Sequence, residues 1–199
     1  MTRIVIEGAN KKLQIDLLYD QLEKNDREVT KFYFPRYTTS PAGKFFCELL
    51  SGTYGDFENS SPYLASLPDT LDRVAAREEI AKATAYCRIG LFDRYTPSSM
   101  ASQGARISDS VERAQFIRSL EILEYDELKI PAPTLVIYLA ISTVFAEPVA
   151  QTYRELARTR SNWRIIECMR DGKLRTPENI HQEVWRHVSK HLDSNDITL

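Results

Sequence analysis

The chain has 199 residues, 43% of them hydrophobic, and a net charge of -2. That composition suits one domain with a full core, expected to span residues 1–199. It excludes the basic excess that neutralises phosphates along a nucleic-acid duplex, and the longest apolar run, Leu135 to Ile141, is far short of a membrane span.

In chain order, apolar strand-like runs alternate with segments of helical period. Arg3–Glu7 reads as a strand and leaves no room for a signal peptide before it. Leu13, Leu17, Leu18 and Leu22 mark one face of a helix. Glu28–Phe34 is a second strand ending at Pro35, and Ala42–Leu50 a short helix closed by Ser51-Gly52. Tyr54–Ser61 is a loop. Pro62–Cys87 is helical, with a kink or restart expected at Pro68. Arg88–Phe92 is a third strand, Val111–Leu128 a helix, and Pro133–Ile141 a fourth strand apolar on both faces, as a buried parallel strand requires. A helix from Val144 to Arg158, a strand Trp163–Cys168, a turn at Asp171-Gly172-Lys173 and a helix Glu178–His191 complete the chain. This alternation predicts an α/β fold, a parallel sheet with helices on both faces. Cys47, Cys87 and Cys168 are far apart and odd in number, with neither metal spacing nor a disulfide framework, which predicts the cytoplasm or another reducing compartment.

Gly8-Ala9-Asn10-Lys11-Lys12-Leu13-Gln14-Ile15, at the end of Ile4-Val5-Ile6, sits where a phosphate-binding loop of the form G-x-x-x-x-G-K-[ST] belongs. Counted from Gly8, the second glycine is Leu13, the lysine Gln14 and the hydroxyl Ile15. Lys11 and Lys12 read either as a displaced phosphate-binding pair or as a solvated turn opening a helix. Asp93-Arg94-Tyr95 follows the third strand, where open parallel sheets bind ligands; it reads either as a metal and phosphate site or as a surface ion pair. His187 and His191 lie four apart, a metal-capable spacing that also suits a solvated helix face.

A longer pattern separates these readings. Asp93-Arg94-Tyr95-Thr96-Pro97-Ser98-Ser99-Met100-Ala101-Ser102-Gln103-Gly104 resembles the D-R-[YH]-x-x-S-x-x-A-Y-Q-G stretch of thymidylate kinases. In the same order, Ile4–Gly8 is similar to that family's strand into its phosphate loop. Phe34-Pro35-Arg36 with Gly43-Lys44 is similar to its F-P-x-R segment. Pro62–Leu67 with Leu71-Asp72-Arg73 is similar to its base-binding helix, and Pro131-Ala132-Pro133 before Leu135–Leu139 to its P-x-P-D-L strand. The resemblance covers nearly the whole chain. It implies a five-stranded P-loop nucleoside-monophosphate-kinase fold, transfer of the γ-phosphoryl of ATP to dTMP with Mg²⁺, and a homodimer. It places Arg36 and Arg94 on the dTMP phosphate, where a planar guanidinium suits bidentate contact, Arg73 on the thymine, Ser98 and Gln103 along the same pocket, and Asp93 near the metal.

The chain departs from the family in three places. Matching Gln14 to the glutamine after G-K-S-T puts Asn10-Lys11-Lys12-Leu13 over those four residues, so that Lys11 stands for the lysine. The loop is then short and keeps only Gly8, although an amide nest for phosphate relies on glycines. The aromatic residue that stacks on thymine is Asp69, which offers no stacking surface, and the tyrosine of A-Y-Q-G is Ser102. The aspartates of the fourth strand are Thr134 and Ala140. Finally, Ser142 to Ser161 has room for one helix rather than an arginine-bearing lid, and Arg154, Arg158 and Arg160 read either as inward-reaching or as a solvated face. The expectation is a thymidylate-kinase-like protein, impaired or inactive, with a residual nucleotide or anion pocket and a phosphate-loop remnant at Gly8, Asn10, Lys11 and Lys12. The alternatives are an active kinase working through Lys11, Asp93 and Arg94, and a structural subunit of a larger assembly.

Overall fold

The computed structural model describes residues 1–57, 59–85, 88–141 and 147–196. Cys87, Val144 and Ser142, named above as a cysteine, a helix start and the start of the shortened lid region, lie outside the described residues. No helix among the described residues is long and apolar enough to cross a membrane. The chain divides into two compact units, Met1–Phe32 with Ala83–Asp93 and Pro133–Leu199, and Tyr33–Lys82 with Arg94–Ala132.

The first unit is built on a five-stranded parallel sheet. Its strands are β1 (Thr2–Gly8), β2 (Val29–Tyr33), β3 (Ile89–Asp93), β4 (Leu135–Ala140) and β5 (Trp163–Glu167), in the order β2-β3-β1-β4-β5. β1 pairs in parallel with β3 (Ile4 opposite Leu91) and with β4 (Gly8 opposite Leu139), and β4 with β5 (Val136 opposite Trp163). All six residues of β4 are buried, as the apolar run on both of its faces predicts. Helix α1 (Lys11–Glu23) buries Gln14, Ile15, Leu18 and Leu22. Leu13, expected on that face, is instead 46% exposed. At about 100° per residue, Leu13 and Leu17 lie a quarter-turn or more round the helix from Leu18 and Leu22, so Ile15 takes the place Leu13 was expected to fill.

After β5, the pairs Met169–Arg170 (β6) and Lys173–Leu174 (β7) form a small antiparallel hairpin about the expected turn. The last helix, numbered α7 after the six that precede it, runs Pro177–Asp196. It buries Ile180, Val184, Val188 and Leu192 in one cluster with Ile4, Ile6, Leu18, Ile137, Leu139 and Ile166. Helix α6 (Glu147–Thr159) lays Tyr153 on Tyr138 of β4, ring centroids 4.4 Å apart.

The second unit is helical: α2 (Pro41–Leu50), α3 (Pro62–Ala83), α4 (Thr96–Gly104) and α5 (Ser110–Glu121), the last continued by a π-helical segment, Ile122–Glu127. Ser40 caps α2, its hydroxyl accepting from the Gly43 N–H at 2.9 Å, and Pro41 starts the helix. A Cβ on Gly43 would lie 2.2 Å from the Arg36 carbonyl oxygen, so this close approach needs glycine. Of the kink or restart expected at Pro68, the restart does not occur: α3 is continuous across it and ends at Ala83. Proline removes one backbone bond, but Ala65, Ser66, Thr70, Asp72 and Arg73 are buried on either side of it and hold the helix together. Helix α4 has no apolar period of its own. It is started by Pro97 in the first turn and pinned by burial of Thr96, Ser99, Met100 and Ala101.

Candidate functional site

In the sheet unit, β1 ends on Gly8 at φ 103°. A Cβ there would sit 2.2 Å from the Leu139 carbonyl oxygen of β4. Ala9 and Asn10 are the whole connection to α1; Asn10 takes the left-handed region (φ 53°) and caps the helix without a side-chain hydrogen bond. Lys11 opens the helix, and its Nζ lies 3.5 Å from an Asp93 carboxylate oxygen, the two side chains 19% and 17% exposed. The structure thus brings Lys11 and Asp93 together in a half-buried pair rather than leaving Lys11 on a solvated turn. Lys12 points to solvent and pairs with Asp16 at 2.8 Å, and its hydrogen bond holds the Asp16 carboxyl below the usual range. Glu7, buried one residue before the turn, accepts a hydrogen bond from the Tyr153 hydroxyl at 2.9 Å.

In the helical unit the expected arginines are drawn onto carboxylates. Arg36 donates its backbone N–H to Asp72 at 2.7 Å, its Nε at 3.0 Å and a terminal nitrogen to the Asp72 carbonyl oxygen at 2.8 Å. Asp72 is fully buried and also accepts from Ser40. Arg73 is fully buried and forks Glu124, Nε to one oxygen at 2.9 Å and Nη2 to the other at 2.6 Å, while Nη2 also donates to Ser99 at 3.1 Å. Thr70 and Thr96 each donate to Glu124 at 2.6 Å, so both of its oxygens are doubly served. Burial alone pulls the Arg73 guanidinium down, but Glu124 and Asp69 outweigh it and hold the charge firmly in place. Ser99 donates to Asp69 at 3.1 Å; burial pushes the Asp69 carboxyl up, against the pull of Arg73 and Ser99. Arg94 is exposed in the left-handed region (φ 62°). Ser98 and Gln103 stand half-buried on α4, and the Gln103 Oε1 accepts from Arg106 at 2.7 Å.

No protein-family model matches the chain. A thymidylate kinase of Thermosipho africanus (strain TCF52B) is 27% identical to it over 95% of this chain and 96% of that protein. Along nearly its whole length, then, the chain is similar to a thymidylate kinase. Among solved structures, thymidylate kinase from Candida albicans superposes with a TM-score of 0.69 over 96% of this chain and 93% of that one, at 19% identity, a likeness of fold.

The buried acids Glu124, Asp72 and Glu7 went unassigned by the residue pattern. Glu124 has a signal that could have found it: Phe116, Ile117 and Leu120 are buried on one face of α5, and Glu124 stands four residues beyond Leu120 on the same stripe. An acid on an apolar stripe predicts a buried cation elsewhere, here Arg73. Asp72 and Glu7 carry no such mark, because their partners Arg36 and Tyr153 are set by tertiary packing. His187 and His191, rather than forming a solvated face, are half-buried on α7. Among the described residues no group of three or more His, Cys, Asp or Glu is placed to hold a metal ion.

Proposed function

We propose that the chain is a thymidylate-kinase-like protein whose ATP-dependent phosphorylation of dTMP is weak or lost. It keeps a nucleotide- or anion-binding remnant around Arg36, Arg73, Arg94, Ser98 and Gln103. The observation that carries this reading is the connection Ala9-Asn10 from β1 straight into α1. A triphosphate is gripped by several backbone N–H groups converging from a glycine-rich loop. A two-residue connection supplies few of them, and its glycine answers to the Leu139 carbonyl of β4.

Mg²⁺ and ATP are what the family reaction takes. The residues present fit them poorly. The position of the magnesium-holding hydroxyl is Lys12, or Ile15 in the unshifted register, and the Asp93 carboxylate is matched to Lys11. Asp69, where an aromatic side chain would stack on thymine, adds a carboxyl beside the base-side arginine. A turnover assay with dTMP, ATP and Mg²⁺ tests the reading: no product above background is expected, and turnover near ~1 per second or faster, the ordinary range of kinases, overturns it.

The second reading is an active enzyme with a divergent donor site that uses Lys11 or Lys12 and arginines of the helix ending at Thr159. The match along 95% of the chain to a thymidylate kinase favours it, as does the half-buried Lys11–Asp93 pair. It expects saturable ATP binding that weakens in Lys11→Ala and Lys12→Ala. A third reading, association with a second copy or a larger assembly, is supported by Leu64, Leu67 and Leu71 on α3, exposed at 58%, 41% and 54% at successive helical spacings. Leu67→Glu would lower the mass measured by sedimentation if that stripe is the interface. Residence in a reducing compartment is inferred from the wide spacing and odd number of the cysteines Cys47, Cys87 and Cys168.

A further inference from the structure

At the amino ends of β4 and β5 the first unit has a cleft of about 490 Å³. It lies at the opposite end of the sheet from the Gly8 turn. Leu135 on its wall starts β4, and Leu139, in register with Gly8, is four residues further along the strand, about 13 Å away. Its size is that of a small-molecule site.

The lining is one-sided in charge. Arg164 comes from β5, and Arg186, His187, Lys190 and His191 from α7, which presents them on successive turns. Among the described residues that line the cleft there is no carboxylate, although the whole chain carries a net charge of -2. The remaining wall supplies hydroxyls from Thr134, Ser161 and Ser194. Three fixed positive charges, two imidazoles and three hydroxyls around one concavity match a ligand with several phosphate oxygens.

Two details make this a property of the present chain. Thr134 stands where the related P-x-P-D-L motif has aspartate, so the substitution removes a negative charge from the cleft wall. The Thr134 hydroxyl donates to the Arg3 carbonyl oxygen at 3.1 Å and accepts from the Arg3 N–H at 3.0 Å. The Thr134 hydroxyl oxygen also lies 3.0 Å from His191 Nε2, a hydrogen bond whose donor is set by the imidazole tautomer. Thr134 thereby fixes the orientation of a cleft histidine as well.

We propose that this cleft is a second, non-catalytic anion site that takes a phosphate chain of the kind found in a polyphosphate or in the tail of a nucleoside triphosphate.

The groups facing the histidines are consistent with an anion site. Burial lowers both; Arg186 and Arg164 and then Lys190 lower His187 further, with Glu183 opposing, and Arg164 lowers His191. Glu183 is itself turned to Arg175 at 2.8 Å and to Arg186 at 3.5 Å. A bound anion reverses this balance and raises both imidazoles.

The test titrates the full chain with tripolyphosphate, and separately with ATP, following the imidazole proton resonances of His187 and His191 across pH. Saturable binding that raises both titration midpoints, and that weakens at least tenfold in Thr134→Asp and in Lys190→Glu, is the expected result. Equal affinity for both ligands identifies the phosphate chain as what is recognised, and tighter ATP binding with the same histidine response adds the nucleoside to it; each supports the site. Lys190→Glu alters an exposed side chain and keeps the test informative should Thr134→Asp fail to fold. Unmoved histidine resonances at saturating tripolyphosphate, or binding untouched by Lys190→Glu, would overturn the proposal. Single-stranded RNA binding more tightly than tripolyphosphate at equal salt would overturn it too, by making the face a nucleic-acid surface.

Discussion

In the sheet unit, Lys11 meets Asp93 across 3.5 Å with both side chains still partly exposed. In the helical unit, Arg73 has no exposure to speak of and shares Glu124 with Thr70 and Thr96. Both units hold residues of the pattern that resembles thymidylate kinases, yet the first leaves its cation loosely paired and the second commits its cations to the fold. A loose pair near solvent contributes little to stability. A buried ion pair is costly to break, because one charge is left without its partner in a medium that solvates it poorly. Arg36 follows the buried pattern in part, with fully buried Asp72 as its anchor and Glu79 a weak outer partner at 3.7 Å. The arginines Arg36 and Arg73 therefore have a reason to be retained that does not depend on catalysis.

The contrast is sharpest at Arg73. Arg73→Met leaves Glu124 buried and unpaired and is expected to cost about 3–5 kcal/mol, read as a lower urea midpoint with an unchanged slope. The double variant Arg73→Met/Glu124→Leu should recover more than half of the loss; no recovery would mean that the pair itself is not the source of the effect.

Gly8→Ala comes next. The new methyl meets the Leu139 carbonyl and the backbone is held at φ 103°, so about 2–4 kcal/mol of destabilisation is expected. A near-neutral result in thermal unfolding would mean that the turn relaxes easily, and that packing against β4 does not require this glycine.

A pH-dependent difference between the units is expected from Asp69, in the helical one. Its folded value is raised above 3.8 by burial. A raised acid favours folding in its protonated form, so its contribution is complete below the unfolded value and fades as pH rises through the folded one. Asp69→Asn should therefore gain on the parent in melting temperature as pH rises above about 4. A difference that stays constant as pH rises would show that Asp69 titrates normally. The smallest effect belongs to Lys11→Ala, expected to cost about 1 kcal/mol or less by the same unfolding measurement. A larger loss would move Lys11 into the class of Arg73.

Much of the fold was legible in the residues. β4 announces itself by six consecutive apolar or aromatic residues that all prove buried, and β1 and β3 by shorter runs, Ile4–Ile6 and Ile89–Phe92. The P-loop-like turn was legible too, because a glycine closing an apolar strand and opening onto a helix marks that motif. Periodicity misjudged α1, since a run of four leucines covers more than one face, and α3 does not restart at Pro68, since burial on both sides of it outweighs one missing backbone bond. At the candidate site the arginines were legible and their partners were not. Asp72 lies 36 residues from Arg36 in the chain, and Glu124 lies 51 from Arg73; no local rule connects positions so far apart.

The amino-acid sequence by itself determined the order of strands and helices except α4, the family resemblance, and the shortness of the turn after Gly8, because these follow from patterns over neighbouring residues. Which charges are paired, which are buried and which line an open cleft was decided only by the tertiary structure. Solvation and Coulomb energy depend on distances between residues that the chain order leaves far apart. For that reason Arg36 and Arg73 emerged as anchored cations, while Arg164, Arg186 and Lys190 emerged as the wall of an anion-ready concavity.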